Sequence, residues 1–150
     1  MPNNDPYALQ RFHQAQHSVY PQALRELQAG RKRTHWMWFV FPQLRGLGSS
    51  AHAHTYGLSG VAEARAYLAD PVLGARLREA TQAVMAHAGV GARRVLGEGD
   101  ALKLRSCLTL FALVEAGPGL FSRALDHLFA GRVDAQTLAL LQAQGPLADA

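Results

Sequence analysis

Helix start and stop signals recur along the whole chain, and no segment shows the alternating pattern of a half-buried strand. The Asp-Pro pairs at 5–6 and 70–71 predict helix starts, because aspartate caps a first turn and proline fits the first helical position. Glycines at 30, 89 and 131 follow apolar residues at helical spacing and predict helix ends. Together these signals predict an all-α fold, a compact single domain of six to seven short helices.

Further boundary signals complete this prediction. Helix starts are expected at Tyr20-Pro21, Ser59, Asp100 and Asp134, and stops at Gly117-Pro118 and Gly145-Pro146. Thr34 is a candidate N-cap for a short helix over 35–41. The stretch 46–60 has the composition of a loop, and a loop of that length in a compact domain is often functional. The ends near 1–5 and 146–150 are expected to fray.

The composition limits the class of protein. A chain of 150 residues fits one domain, here spanning 1–150, and its single cysteine excludes an intrachain disulfide framework. The apolar stretches near 36–41 and 108–114 are too short to span a bilayer. The first residues lack the basic and apolar regions of a signal peptide. We therefore expect a cytoplasmic protein with no membrane partner.

The positive charge is concentrated in one part of the chain. The window 25–45 holds five basic residues and one acidic residue, so it accounts for the whole net charge of +4. A local basic patch suits a phosphate, a carboxylate or a nucleic acid. An ordinary solvated turn rich in arginine explains the charge equally well.

The same window contains the densest group of aromatic residues. Four of the twelve aromatic side chains lie between positions 36 and 41. The simpler interpretation places them in the core, but a tryptophan face can also stack on a base or a sugar. His35 could move a proton, and an amide at position 43 could read a base edge. The candidate ligand-binding residues are Lys32, Arg33, Trp36, Trp38, Gln43, Arg45 and Ser50.

A second polar group lies on the predicted helix that starts near position 100. Asp100, Lys103 and Ser106 follow one another at a spacing of three, which places them along one ridge of a helix. The simpler interpretation is an N-cap aspartate paired with its own first-turn lysine. With His35, these three are the candidate catalytic residues. No metal site or cofactor is predicted, because no motif for either is present.

Three blocks of sequence resemble a known family. They are GRKRTHWMWFVFPQLRGLGS at 30–49, EARAYLADPVLGARL at 63–77 and DALKLRSCLTLF at 100–111. They are similar to a bacterial family catalogued as a domain of unknown function, number eighteen-ten, whose members are sometimes mislabelled calpastatin. The resemblance implies a small, all-helical, single-domain protein without an established activity. The family usually has two serines where this chain has Ser106-Cys107, and two acidic residues where it has Gly99-Asp100.

Three functions fit these residues. The first is a site for a small anionic ligand of the nucleotide or ADP-ribose type, between the 30–50 segment and the 100–106 helix start, with hydrolysis of the ligand as a further activity. The second is a nucleic-acid-binding module that uses the same basic patch. The third is a non-catalytic interaction domain, either a monomer or a homodimer. The sequence leaves open whether the two segments meet in space.

Overall fold

The computed structural model describes residues 5–116 and 119–145, which fold into an all-α structure. In this part of the chain ten helices follow one another: α1 Gln10–Gln16, α2 Tyr20–Gln28, α3 Met37–Val40, α4 Ala51–Tyr56, α5 Val61–Ala69, α6 Pro71–Met85, α7 Ala92–Leu96, α8 Glu98–Val114, α9 Leu120–Phe129 and α10 Ala135–Ala143. The predicted fold class is confirmed, while the predicted number of helices is too low. None of the described helices is long and apolar enough to cross a membrane.

Short helices account for most of the difference. Helix α4 lies inside the stretch 46–60 that the sequence predicts as a loop, and the Ser50 hydroxyl accepts a hydrogen bond from Ala53 N–H at 3.1 Å to cap it. Helix α7 lies between Gly91 and Gly97, both at positive φ. Helices of five or six residues contain too few apolar positions for their periodicity to stand out in a sequence.

Helices α3 and α8 do not begin where the sequence predicts. Helix α3 begins at Met37, because the Thr34 hydroxyl donates to a carboxylate at position 26 instead of capping a helix. Helix α8 begins at Glu98, so Asp100 lies within its first turn and is not its N-cap. The stop signals at Gly117-Pro118 and Pro146 and the ends at 1–4 and 146–150 lie outside the described residues.

The start signals at Tyr20-Pro21, Asp70-Pro71 and Asp134 act as the sequence predicts, whereas α1 begins at Gln10 instead of Pro6 and α5 begins at Val61 after Gly60. Asp70 caps α6, because its carboxylate accepts hydrogen bonds from the backbone N–H groups of Val72 and Leu73, each at 3.0 Å. Asp134 caps α10 by accepting from Thr137 N–H at 2.9 Å. Prolines occupy the first turns of α2 and α6. These contacts satisfy N–H groups that the first turn of a helix leaves without partners.

Helix α8 runs through the core and packs against α5, α7, α9 and α10. A connected series of buried rings joins it to the other helices. Phe12 meets Tyr67 edge-on with ring centroids 5.0 Å apart, Tyr67 lies 5.6 Å from Phe111, and Phe111 lies 5.7 Å from Phe121. Because these rings come from α1, α5, α8 and α9, they fix α8 in place.

Candidate functional site

A buried carboxylate on α2, Glu26, organises the loop that follows this helix. Its oxygens accept hydrogen bonds from Arg33 N–H at 2.7 Å and from the N–H and hydroxyl of Thr34 at 3.0 and 2.6 Å. They also accept from Trp36 Nε1 and Gln22 Nε2, each at 3.0 Å. Burial alone would raise the pKa of Glu26, but these hydrogen bonds outweigh it and hold the pKa well below its usual range. Glu26 is therefore an ionised structural acceptor.

Sequence reasoning assigned no role to Glu26, although one signal marks it. It is the only acidic residue in the basic window 25–45. A carboxylate among basic and aromatic residues is often the group that orders them, because it can accept several hydrogen bonds at once.

The loop held by Glu26 directs the side chain of Lys32 toward α8. Lys32 N–H donates to the carbonyl oxygen of Val95 at 2.7 Å, which fixes the loop against α7. The ammonium group of Lys32 lies 2.8 Å from one carboxylate oxygen of Asp100, and the side chain is only 8% exposed. The 30–50 segment and the 100–106 helix start, which the sequence alone could not join, therefore meet at this ion pair.

Lys103 completes the group from one helical turn further along α8. Its Nζ lies 3.1 Å from the other carboxylate oxygen of Asp100 and 4.5 Å from the centroid of the Trp38 ring. Trp38 is partly exposed on α3. We call Lys32, Trp38, Asp100 and Lys103 the Lys-Asp-Lys site. It combines a basic pair with an aromatic face.

The Lys-Asp-Lys site has two ammonium groups and one carboxylate, and therefore an excess of positive charge. Burial tends to raise the pKa of Asp100, but hydrogen bonds and charge attraction from Lys32 and Lys103 bring it below its usual value. A carboxylate held ionised in this way is a poor proton acceptor at neutral pH. Each ammonium has three N–H donors, and within residues 5–116 and 119–145 Asp100 is the only carboxylate that pairs with either. Donors therefore remain for a second anion.

Two of the sequence-predicted site residues are engaged within the fold. Trp36 is fully buried and its indole donates to Glu26, so its ring offers no face to a ligand and the expected stacking role is corrected. The buried hydroxyl of Ser106 donates to the carbonyl of Leu102 at 3.2 Å, one turn earlier on α8. The described contacts contain no hydrogen bond between Ser106 and Lys103. The spacing of three therefore does not produce a serine–lysine pair here.

Three further predicted residues hold the chain around α4. Gln43 is buried, and its backbone carbonyl accepts from Leu58 N–H at 2.9 Å. The Arg45 guanidinium is exposed and donates to the carbonyl of His54 at 3.0 Å. The Ser50 hydroxyl caps α4 as described above. No hydrogen bond or ion pair among the described residues joins these three side chains to the Lys-Asp-Lys site.

Exposed basic side chains flank the site. Arg33 and His35 lie on the loop that carries Lys32, and both are exposed. The hydrogen bond from Lys32 to Val95 also places α7 beside this loop, and α7 contributes the exposed Arg93 and Arg94. Sequence reasoning missed these two arginines because they are far from the basic window along the chain.

The comparisons with known proteins agree with this fold. A family model described as "Protein of unknown function (DUF1810)" matches residues 6–141. The crystal structure of the conserved hypothetical protein Rv1873 from Mycobacterium tuberculosis is similar, with 48% sequence identity and a TM-score of 0.89. The match covers 92% of this chain and 99% of that one. No curated protein matches the chain.

Proposed function

The chain belongs to the family of proteins of unknown function DUF1810, and we propose that it binds a small anionic ligand of the nucleotide or ADP-ribose type at the Lys-Asp-Lys site. One observation carries the proposal. The ammonium of Lys103 lies 4.5 Å from the Trp38 ring centroid while it shares a single carboxylate with Lys32. The ammonium thus lies over one face of the Trp38 ring, so a flat ring in a ligand would stack on the opposite face. This arrangement suits a ligand in which a phosphate is attached close to a flat ring.

The partial exposure of the site supports binding from solution. Trp38 and Lys103 are both partly exposed, whereas the Lys32 side chain is nearly buried. We therefore assign ring stacking to Trp38 and direct phosphate contact to Lys103, with Arg33 as the neighbouring exposed cation. The nearly buried ammonium of Lys32 adds positive charge to the site and holds the Asp100 carboxylate in place. Hydrolysis of the ligand is a second, separable part of the proposal, and it falls to His35 because Asp100 is held ionised.

Substitution of the two contact residues is expected to weaken ligand binding. We expect Lys103→Gln and Trp38→Leu each to raise the Kd for AMP or ADP-ribose by about tenfold, equivalent to about 1.4 kcal/mol, because one removes the charge and the other the stacking face. Isothermal titration calorimetry on a panel of AMP, ADP-ribose and NAD measures this effect. Chromatography of the same mixtures with the wild type and with His35→Ala reports any hydrolysis.

Arg123→Gln is the matched control for charge. Arg123 is exposed on α9, and its loss changes the net charge as Lys103→Gln does. We expect it to bind like the wild type. The binding proposal is wrong if no member of the panel binds, or if Lys103→Gln and Arg123→Gln change the Kd equally.

Asp100→Asn is expected to change stability and binding in opposite directions. The substitution leaves the two ammonium groups 2.8 and 3.1 Å from a neutral amide. We expect the free energy of unfolding to fall by about 1–2 kcal/mol, because a partly buried ion pair is lost. The affinity for AMP should rise, since a competing carboxylate is gone. Urea denaturation and calorimetry at low salt measure the two effects, and a fall in affinity would exclude an anion at this position.

A single-stranded nucleic acid is the second candidate ligand. The observation that favours it is the set of exposed arginines brought together by the hydrogen bond from Lys32 to Val95, namely Arg31, Arg33, Arg93 and Arg94. Binding of an oligothymidine should then exceed binding of its mononucleotide and weaken steeply with salt. Fluorescence anisotropy at two salt concentrations distinguishes this function from the first.

A further inference from the structure

A cleft lined by α7, α8 and α9 shares no lining residue with the Lys-Asp-Lys site, although α7 lies beside both. Two adjoining cavities, of ≈ 540 and ≈ 460 Å³, form it and share Leu128 and Phe129 in their walls. The first is also lined by Arg93 and Arg94, and the second by Arg105, His127 and Arg132. We call this surface the arginine cleft.

The arginine cleft combines an apolar floor with an excess of positive charge. Four arginines line it against two carboxylates, Glu98 and Asp126. Glu98 pairs with Arg93 at 3.3 Å, but both side chains are about three-quarters exposed, at 77% and 76%, so solvent screens this pair. Leu128 and Phe129 are partly buried between the arginines. The cleft therefore offers apolar contact in its middle and guanidinium groups on both sides.

Arg105 is held in the wall of the second cavity. Its Nη2 donates to the carbonyl oxygen of Val133 at 3.0 Å, which holds the guanidinium in the wall of the second cavity. Its Nε is buried and has no hydrogen-bond partner among the described residues. A guanidinium Nε–H is always a donor, and buried donors are rarely left without an acceptor. That nitrogen has almost no accessible surface, so a ligand in the second cavity would meet the other guanidinium nitrogens, of which only Nη2 has a described partner.

We infer that the arginine cleft binds a phosphorylated molecule with an aromatic or apolar part. The phosphate pairs with Arg105 and Arg132, because guanidinium groups match phosphate oxygens in pairs. The apolar part lies over Leu128 and Phe129. The cavity volumes lie within the range of small-molecule sites, and the occupant we infer is a small molecule. This inference does not depend on the ligand proposed for the Lys-Asp-Lys site.

Phenyl phosphate is a suitable probe because it joins the two required chemical features. Inorganic phosphate and phenol each carry one of them. In ¹H–¹⁵N NMR titrations of the whole chain, we expect phenyl phosphate to shift the amide signals of 91–94 and 127–132 and the Nε–H signal of Arg105. We expect it to bind about tenfold more tightly than either single-feature probe, since both contacts are made at once.

Two variants and a control test the assignment of residues. Arg105→Gln and Arg132→Gln should each raise the Kd for phenyl phosphate by about tenfold. Arg132 is exposed, so its variant remains informative if loss of the Arg105–Val133 hydrogen bond unfolds the chain. Arg123→Gln lies on the same helix as Phe129, lines neither cavity and should bind like the wild type.

Each other outcome overturns the inference. If the shifts are confined to residues 32–38 and 100–103, phenyl phosphate binds only at the Lys-Asp-Lys site. If inorganic phosphate binds as tightly as phenyl phosphate, the cleft is a simple anion surface. If Arg132→Gln and Arg123→Gln behave alike, or if no signals shift, the cleft binds no such ligand. Because Arg105 and residues 127–132 are not part of the Lys-Asp-Lys site, their signals distinguish failure at the cleft from failure at that site.

Discussion

Glu26→Ala is expected to lower the free energy of unfolding by about 3–5 kcal/mol, because it leaves several buried donors without an acceptor. The carboxylate accepts hydrogen bonds from Gln22, Arg33, Thr34 and Trp36. The Trp36 indole is fully buried and cannot turn to water instead. The effect should reach the Lys-Asp-Lys site as well, since the same loop carries Lys32. Urea denaturation at pH 7 measures the stability, and calorimetry with AMP measures the loss of binding.

The pH dependence of the free energy of unfolding distinguishes the contribution of the Glu26 charge from that of its shape. The folded state holds the pKa of Glu26 below its value in the unfolded chain, about 4.3, so its contribution is complete above that pH and is lost as the pH falls below it. We expect Glu26→Gln to be destabilised at pH 7, with a difference from the wild type that shrinks below about pH 4. The depressed pKa values of Asp70 and Asp100 act in both proteins and cancel in this difference.

Glu98→Gln is the control for this experiment. Glu98 is a surface residue, with a side chain that is 77% exposed, and its pairing with Arg93 is solvated. We expect a change within about 0.5 kcal/mol at either pH. A Glu26→Gln protein as stable as Glu98→Gln at pH 7 would show that the buried carboxylate does not organise the loop.

Gly74→Ala is expected to destabilise the protein by about 3 kcal/mol, although alanine is normally the better helix former. A β-carbon at Gly74 would collide with the backbone carbonyl oxygen of Leu68, in the last turn of α5. A backbone atom cannot rotate away as a flexible side chain can. The substitution therefore forces α5 and α6 apart at this contact. Urea denaturation, with the m value checked for constancy, measures the loss.

Gly99→Ala is the matched control, because it places the same methyl group on another helix. Gly99 lies in the first turn of α8, and a β-carbon there would meet nothing within 4 Å. We expect no loss and a gain of up to about 1 kcal/mol from helix propensity. Equal stabilities for the two alanine variants would refute close packing at Gly74.

The all-α class was predictable because its signals are local. Asp70, Pro71 and Asp134 act on N–H groups within one turn, so their effect can be deduced from neighbouring residues. The short helices α4 and α7 were missed for a related reason. A helix of five or six residues has little periodicity of its own, and the contacts with the rest of the fold that stabilise it lie far away in the sequence.

The candidate site was predictable only in part. The sequence indicated both the basic and aromatic window and the polar start of α8, and the structure joins them through Lys32, Asp100 and Lys103. The structure also shows that Trp36 is too deeply buried to bind a ligand. The sequence could not predict this burial, because it depends on neighbours that a sequence pattern does not specify. The structure likewise places Arg93 and Arg94 beside the loop that carries Lys32, and a sequence pattern does not specify this proximity either.

The sequence by itself determined the all-α class, the starts of α2, α6 and α10, and the position of the excess positive charge beside the tryptophans. Tertiary structure alone decided that Glu26 is a buried acceptor, that one carboxylate neutralises two lysines, and that Arg105 has a buried donor without a partner. The physical reason is the distance along the chain over which each interaction acts. Capping and helix propensity act over a few residues, whereas ion pairs, ring contacts and burial depend on residues that only the folded chain brings together.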